Sequence, residues 1–575
     1  MSLASHSAFD SENPHPLILL LASFFSACLI GVLVGLFTIS FVQLVTEAEV
    51  WRVAGRLGLE SLSFSLFSYQ TGLLSTGMIV LILTRRIFSI QRWHGPADVI
   101  HAAHTDISLL SVKTGVATLL SVFISVFAGG SVGIYGPLVH VGGFLARLFH
   151  SLFRTTILSQ DMLLGCGVAA AISAGFNAPI AGMIFAHEVV LRHFSMRALA
   201  PIAIASISSF SISSWLFEEV RWLRLDIEVP SILSLSSGLL ISGLFFGLVA
   251  VFIMRLQISS SKWAANSGLS DWKLGGIAVF ICSLVGFFVP EVLGLGPTTI
   301  QEMLNLQFGI ATLFIFLVSK LIVTAASTCF GFSLGIFSPC LFMGAAAGGV
   351  SAYALGLLGI PASVPIFMVC GMAALSGAVT GAPIAIMVIV IEMTTSYDLA
   401  VATMISVGTC SLITFSFGGH SLFDQQLEMR KVNINAGRVV LRLLEMKVDS
   451  LAKTDFITVQ ISSSAKAAAR LLAANKTSEG YCVKEDGSLL GKISLQDLVA
   501  KENLESLDTI VEINPTFLQA GSSVESAREV AANFIGEALP VLEGDTRKLL
   551  GIVSEADIFT AVLKTQKDVN SLEKT

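Results

Sequence analysis

The first long segment of this chain is apolar from end to end. Residues 16–42, PLILLLASFFSACLIGVLVGLFTISFV, carry no charged side chain and exceed the ~20 apolar residues that a helix needs to span a bilayer. Comparable windows recur as far as Leu427, and only 13% of the 575 residues are charged, against about 25% in soluble domains. The pattern predicts an all-α polytopic membrane protein and disfavours a soluble two-domain enzyme.

The charge content rises after Met429, which indicates a separate soluble domain. The N-terminus has neither a basic region nor a small-residue cleavage site, so we expect the first span to be retained. The eight cysteines show no spacing typical of a metal site, and we expect neither a metal nor a catalytic residue. The predicted boundaries are a tail at 1–15, a membrane domain at 16–430, a linker at 431–445, two α/β units at 446–505 and 506–566, and a tail at 567–575.

The membrane domain contains an internal repeat. The segment GVAAAISAGFNAPIAGMIFAHEVV at 167–190 aligns without a gap with GMAALSGAVTGAPIAIMVIVIEMT at 371–394, 204 residues later. The segment GIYGP at 133–137 matches GIFSP at 335–339, 202 residues later. Two motifs in the same order at nearly the same spacing indicate a duplicated unit.

Glycines followed by a proline interrupt the helical pattern at corresponding places in the two halves. Such paired interruptions point to a transport site, because unwound backbone in a bilayer must be buried or line a cavity. No Asp, Glu, Lys or Arg lies between Lys113 and Arg147, or between Lys320 and Glu392. Selection by backbone dipoles at helix N-termini is therefore expected, and it favours an anion. Close helix packing through small residues is the alternative, but it leaves the matched prolines unexplained.

At these residues the chain resembles the CLC family of chloride channels and proton-coupled anion exchangers. The segment GGSVGIYGPLVHVGG resembles the family's GxEGP motif and GFSLGIFSPCLFMGA its GxFxP motif, while FNAPIAGMIFAHE and GAPIAIMVIVIEMT resemble its proline-led helices. The resemblance implies a homodimer in the lipid bilayer, with one pore per subunit and two inverted halves of tilted helices. It implies chloride or another small monovalent anion as the substrate, and no nucleic acid.

The resemblance also assigns candidate anion contacts. It places an outer site at Ile134, Tyr135 and Gly136 and a central site at Gly335, Ile336 and Phe337. Where the family has a tyrosine hydroxyl near the end of the last membrane helix, this chain has Phe423. Where the family has a serine in a GSGIP turn, it has Trp93 and His94. Backbone contacts are therefore expected to dominate.

Two further departures bear on mechanism. Tyr135 replaces the family's gating glutamate, and Val189 stands at the inner proton glutamate, preceded by Glu188. A phenol with a pKa near 10 stays neutral, and valine carries no proton, so passive chloride conduction is predicted. One alternative is a proton/chloride antiporter whose proton path uses Tyr135, His187 and Glu188. Another is a non-conducting membrane sensor whose pore is plugged by Tyr135. The sequence leaves the identity of the physiological anion open.

The soluble domain contains a second repeat. The segment GSLLGKISLQDLVA at 487–500 matches RKLLGIVSEADIFT at 547–560, 60 residues later. Each unit reads as a turn, a short strand and a helix begun by Ser-x-x-Asp, which is an N-cap arrangement. The pair resembles tandem CBS (cystathionine-β-synthase) domains, which many CLC proteins carry in the cytosol.

The CBS resemblance implies a possible adenine nucleotide, although no cofactor is required. In that family the hydroxyl and the carboxylate of the repeated motif hold the phosphate and the ribose, which nominates Ser494, Asp497, Ser554 and Asp557. Helix capping alone is the alternative. We expect a plasma (inner) membrane protein with its CBS pair in the cytoplasm.

Overall fold

Apolar segments form helices throughout the first of the two units into which the chain divides, residues 1–432. The computed structural model describes residues 16–57, 63–105, 107–153, 158–216, 230–430, 432, 437–484, 486–501 and 506–574. Within these ranges, eight helices are long and apolar enough to cross a membrane, judged by length and composition. The predicted polytopic helical fold is confirmed.

The first half of this unit contains eight α-helices among the described residues. They are α1 (Pro16–Leu57), α2 (Ser63–Ile87), α3 (Pro96–His104), α4 (Val112–Ala128), α5 (Tyr135–Phe153), α6 (Gln160–Phe176), α7 (Pro179–Phe185) and α8 (Met196–Leu216). The short helices α3 and α7 begin at a proline, whose missing N–H is no loss in a first turn. A π-helical turn at Ala186–Leu191 continues α7.

The second half repeats this order and adds one short helix. Its described helices are α9 (Ile232–Asn266), α10 (Asp271–Phe288), α11 (Pro297–Leu304), α12 (Ile310–Phe330), α13 (Phe337–Leu357), α14 (Val364–Thr380), α15 (Pro383–Thr394), α16 (Tyr397–Ile413) and α17 (Leu422–Met429). The short helices α11 and α15 again begin at a proline. Each proline-led helix of the first half therefore has a counterpart in the second.

Two glutamates join the halves in a reciprocal way. The carboxylate of Glu188, just after α7, accepts hydrogen bonds at 2.9 and 2.7 Å from two N–H groups at the start of α15. The carboxylate of Glu392, within α15, accepts two at 2.8 Å from N–H groups at the start of α7. Each half thus caps the other half's helix, which is the relation expected between two inverted halves.

The second unit, residues 433–575, combines short strands with helices. Its elements are α18 (Arg438–Glu445), β1 (Thr458–Val459), α19 (Ala465–Ala474), β2 (Glu479–Val483), β3 (Leu489–Ser494), α20 (Leu495–Ala500), β4 (Glu512–Ile513), β5 (Leu518–Gln519), α21 (Val524–Ala531), β6 (Leu539–Glu543), β7 (Lys548–Val553) and α22 (Glu555–Lys574). The helix α18 lies in the segment expected as a linker, and its Leu443 packs in the core of the second repeat.

Two small sheets carry the repeat in this unit. Their strand orders are β1-β2-β3-β4 and β5-β6-β7, and each sheet combines a parallel pair with an antiparallel hairpin. In the hairpins, Tyr481 lies opposite Lys492, and Val541 lies opposite Gly551. Each repeat has its own apolar core, and a third cluster that includes Tyr481 and Leu542 joins them. The predicted small α/β pair is confirmed.

Candidate functional site

The two interrupted segments of the membrane unit meet each other. The helix α4 is capped by Gly129, whose φ of +93° is a conformation that glycine adopts readily. Further along, the N–H of Gly133 donates to the carbonyl of Gly335 at 2.7 Å. A Cβ atom added to Gly335 would lie 1.7 Å from the carbonyl oxygen of Gly133. A side chain at this position is therefore excluded by the close approach of the two backbones.

Serine side chains satisfy the unwound backbone around this contact. Ser125 of α4 accepts a hydrogen bond from the N–H of Ser333 at 3.1 Å. Ser327 of α12 accepts one from the N–H of Ser131, also at 3.1 Å. The two pairs correspond through the repeat, each serine serving the interrupted segment of the opposite half. Because an unsatisfied N–H costs several kcal/mol in a bilayer, these serines make the interruptions tolerable.

Three helix N-termini converge at the same place. A Cβ atom added to Gly136, in the first turn of α5, would lie 3.5 Å from Cγ of Pro96 at the start of α3. It would lie 3.8 Å from Cα of Gly335, just before α13. N–H groups in a first turn have no acceptor within their helix, and the helix dipole adds partial positive charge. The structure therefore brings residues 134–136 and 335–337 together in a setting suited to an anion.

Tyr135, the residue expected at the gate position, has a buried ring. Its side chain is 1% exposed and stacks on Phe176 of α6 at 3.7 Å between centroids, with 18° between the planes. Phe337 meets the same ring edge-on at 5.6 Å and also contacts Phe176 at 5.2 Å. Phe176 was not predicted from the sequence, where its only signal is its place just before the Asn-Ala-Pro that opens α7. Tyr135 therefore belongs to a cluster of three aromatic rings.

The residue expected at the position of the inner proton glutamate is buried and apolar. Val189 is 1% exposed within the π-helical turn, and its carbonyl accepts a hydrogen bond from Nε of Arg192 at 3.3 Å. The neighbouring carboxylate of Glu188 is already bound to the N-terminus of α15. Its geometry is that of a helix cap between the two halves.

The start of α17 lies beside the central candidate residues. Phe423 is buried in the first turn of this helix, which Ser421 caps by accepting from the N–H of Asp424. The neighbouring Leu422 lines a cavity of about 20 Å³ together with Ile336. Such a space is enough for roughly one water. The side chain expected at the family's tyrosine position is therefore apolar, and it has no hydroxyl that could donate to an anion.

Charged groups gather at the start of α3. Asp98 binds Arg92 at 2.5 and 3.1 Å and Arg430, at the end of α17, at 3.1 Å. It also accepts from the N–H of Gly95 at 2.8 Å, which caps α3. Trp93 of the same turn is buried, and its indole N–H donates to the carbonyl of Gly331 at 2.9 Å. The segment that replaces the family's serine turn is thus a cap and a cluster of two guanidinium groups around one carboxylate.

A second charged cluster lies inside the membrane unit and was missed by the sequence argument. Lys320 of α12 is fully buried and donates to the carbonyls of Val292 and Gly294, both at 2.9 Å. Glu49 of α1 accepts from the N–H of Leu295 at 2.9 Å and from Arg52 at 3.3 Å. The same loop donates from Gly294 to the carbonyl of Gly129 at 3.1 Å. The cluster therefore holds the loop against the segment that leads into α5.

The two Ser-x-x-Asp motifs of the second unit both cap helices. Ser494 accepts from the N–H of Asp497 at 3.1 Å, and Ser554 accepts from the N–H of Asp557 at 3.2 Å. In both pairs the serine hydroxyl donates to the carboxylate at 2.7 Å. The structure therefore shows the capping contacts that the sequence left as an alternative to nucleotide binding.

Only the second motif lines the cavity of about 230 Å³ found among the described residues of this unit. Asp557 lies there 2.6 Å from Nζ of Lys453. Burial tends to raise the pKa of Asp557, but hydrogen bonds from Lys453 and Ser554 outweigh it and lower the pKa below its usual value. Asp455, Glu479 and Glu537 complete the charged lining. The cavity therefore carries more negative than positive charge.

Comparison with known proteins decides the family. The family model described as voltage gated chloride channel matches residues 76–414, which is more than half of the chain. This protein belongs to the CLC family. The family model of the CBS domain matches twice, at residues 448–502 and 509–564. Both resemblances drawn from the sequence are confirmed.

Relatives of this CLC protein include proteins with different described activities. The voltage-gated ClC-type chloride channel ClcB of Escherichia coli O81 (strain ED1a) is 28% identical over 67% of this chain and 89% of its own length. The crystal structure of a slow cyanobacterial Cl⁻/H⁺ antiporter has a TM-score of 0.62 at 20% identity, covering 71% of this chain and 97% of that one. The structure of a eukaryotic CLC transporter has a TM-score of 0.63 at 18% identity, covering 94% and 98%. The two structures show the shared fold, and the family's activity is anion transport rather than enzymatic catalysis.

Proposed function

We propose that this CLC protein conducts chloride passively, without coupling to protons. The observation that carries the proposal is the absence of a carboxylate at both positions where the family's exchangers are expected to hold one. Tyr135 is a phenol buried between two phenylalanine rings, and Val189 is a buried hydrocarbon. Neither group can take up and release a proton near neutral pH.

The anion path of this proposal follows the helix N-termini. Residues Ile134, Tyr135 and Gly136 would contribute the outer site and Gly335, Ile336 and Phe337 the central site. Their support is the close approach of Gly136, in the first turn of α5, to Pro96 at the start of α3 and to Gly335 just before α13. Phe423 would line the path without a polar contact, because it has no hydroxyl.

Two other functions have a specific observation in their favour. A proton/chloride antiporter is favoured by the fold shared with the cyanobacterial antiporter, and its proton path would have to use Glu188 or His187. A non-conducting sensor is favoured by the stack of Tyr135 on Phe176, which places an aromatic ring at the gate position. The capping role of Glu188 weighs against the first function, since both oxygens of its carboxylate are already engaged by N–H groups at the start of α15.

Flux from purified protein in liposomes distinguishes the three functions. For a passive channel, the reversal potential follows the chloride gradient alone and does not move when a pH gradient is imposed. A steady shift with the pH gradient would instead support the antiporter. Absence of flux for chloride, nitrate, bicarbonate and fluoride would support the plugged sensor. Tyr135→Ala is the matched test of plugging, because removal of the ring should then create a flux that the parent lacks.

We further propose that the CBS pair lies in the cytoplasm, with the membrane unit in the plasma (inner) membrane as a homodimer. The domain boundaries proposed from the sequence are retained, with the membrane domain at 16–430 and CBS units at 446–505 and 506–566.

An adenine nucleotide or nucleoside would bind at Ser554 and Asp557, since this motif lines the cavity of about 230 Å³. Ser494 and Asp497 would then act as a helix cap. Calorimetry with adenosine, AMP and ATP tests this assignment.

A further inference from the structure

Two histidines face each other where α3 begins beside α5. The ring of His94 lies 5.5 Å from the ring of His140, with 46° between the planes. Gly136 is one turn before His140 on α5, and it is the residue that approaches Pro96 at the start of α3. The His94–His140 pair therefore continues the contact between the two helix N-termini to which the anion path is assigned.

His140 is buried in a way that leaves its polar atoms unused. The side chain is 0% exposed, and neither ring nitrogen has a hydrogen-bond partner among the residues that the structure describes. A buried polar group without a hydrogen-bond partner costs free energy. A ligand or a neighbour that shares a proton with His140 would remove that cost. The neighbouring ring that can share a proton is His94, whose side chain is 18% exposed.

The charged groups around the pair leave an excess of positive charge. Asp98 of α3 lies 3.4 Å from Nδ1 of His94, but it also faces the guanidinium groups of Arg92 and Arg430. One carboxylate therefore meets two permanent cations, and the cluster is positive even with neutral histidines. Arg192 and Asp424 pair with each other at 2.5 Å, so these two charges balance.

We propose that His94 and His140 form a proton-linked anion site at the α3 end of the path, where one proton and one chloride ion bind together. This inference rests on the proposed conduction path. A proton on His94 adds one positive charge to this cluster, and an anion beside the pair offsets that charge. Chloride in turn gains a cationic partner that the neutral pair does not provide. Binding of each therefore strengthens binding of the other by the same factor.

The site modulates anion binding without driving transport. Protonation of the pair changes how tightly chloride is held, but no proton needs to cross the membrane with it. The reversal potential then stays independent of the pH gradient, while chloride affinity and the rate of passive flux depend on pH. This separates the histidine site from the carboxylate pair that the chain lacks.

Calorimetric titration of sodium chloride into the full-length protein, purified in detergent in chloride-free buffer, tests the site. The dissociation constant for chloride should fall by roughly fivefold between pH 7.5 and pH 5.5, a typical coupling between two sites. The binding enthalpy at about pH 6.5 should also depend on the ionisation enthalpy of the buffer, because chloride binding takes up a proton.

Three variants sharpen the experiment. His94→Gln should bind chloride equally at both pH values and take up no proton. His94→Lys carries a permanent charge and should bind tightly at both. His150→Gln, on the same helix as His140 but three turns from it, is the control and should keep the pH dependence of the parent.

The outcomes separate this inference from the proposed function. Chloride binding that is equal at both pH values in the parent, or a pH dependence that survives in His94→Gln, would overturn the histidine site and leave passive conduction intact. Complete absence of chloride binding in the parent at either pH would overturn both. A pH dependence lost in Glu188→Gln instead of His94→Gln would assign the proton to the carboxylate and also refute the site.

Discussion

The reciprocal caps of Glu188 and Glu392 lead to a prediction that separates structure from proton transfer. If Glu188 acts only as a cap, then Glu188→Gln and Glu392→Gln should have the same effect, because each carboxylate makes the equivalent pair of contacts to the opposite half. Glu188 binds the N–H groups of Ile384 and Ala385. If Glu188 carries protons instead, its replacement should change ion coupling while the replacement of Glu392 should not.

The magnitude follows from the number of contacts. Each carboxylate accepts two hydrogen bonds of 2.7–2.9 Å, and a hydrogen bond to a charged group contributes about 1.5–3 kcal/mol. Glutamine keeps one acceptor oxygen and loses the charge that complements the helix dipole. Because both sites are only partly buried, the lower end applies, and each variant should lose about 2 kcal/mol. Leucine at either position should lose about twice as much.

Thermal unfolding in detergent measures this effect. For a unit as large as residues 16–432, about 2 kcal/mol corresponds to roughly 2–3 °C in melting temperature, from an unfolding entropy of ~2.1 cal/mol/K per residue. Chloride flux and reversal potential should stay close to those of the parent in both glutamine variants. The reasoning is refuted if only Glu188→Gln alters the reversal potential under a pH gradient, or if the two melting temperatures shift by clearly different amounts.

Three further predictions concern other parts of the molecule. Tyr135→Ala should raise chloride efflux from liposomes, because it removes the ring that stacks on Phe176. Tyr135→Glu should make efflux fall as pH rises, because an ionised carboxylate competes with the anion. Equal efflux from the parent and both variants would show that Tyr135 only packs. Lys320→Met should destabilise the protein by about 3 kcal/mol, since it leaves Glu49 buried without its full set of cations, and Lys320→Met with Glu49→Gln should recover part of the lost melting temperature. In the CBS cavity, adenosine should bind more tightly than ATP because the lining is net negative, and Asp557→Asn should weaken adenosine binding; calorimetry showing the reverse order would contradict the charge argument.

Much of the membrane unit could be predicted because its causes are local or repetitive. Apolar windows specify spanning helices, since nothing else satisfies backbone polar groups in a bilayer. The offset of about 202–204 residues between GIYGP and GIFSP, and between the two proline-led helices, specified the duplication. Glycine and proline in the same order in both halves specified where the helices are interrupted. The Ser-x-x-Asp repeats specified two helix starts in the same way.

The partners of these elements depended on the tertiary structure. A sequence shows that Ser125 and Ser327 are serines in apolar helices, but only the packed halves show that each receives an N–H from the other half's interruption. The stack of Phe176 on Tyr135 likewise joins residues of different helices. No local pattern reports such pairings, because hydrogen-bond geometry and ring contacts are set by distances between segments far apart in the chain.

The charged residues show most clearly which features follow from the sequence and which depend on the tertiary structure. From the sequence alone, it was clear that no Asp, Glu, Lys or Arg lies in the stretches around the two interruptions. The packed chain then placed Lys320 and Glu49 around one buried loop and placed Arg430 beside Asp98, 332 residues away. The physical reason is that the cost of burying a charge is fixed by residue type, whereas the compensation for that cost comes from whichever partner the fold brings within a few ångströms.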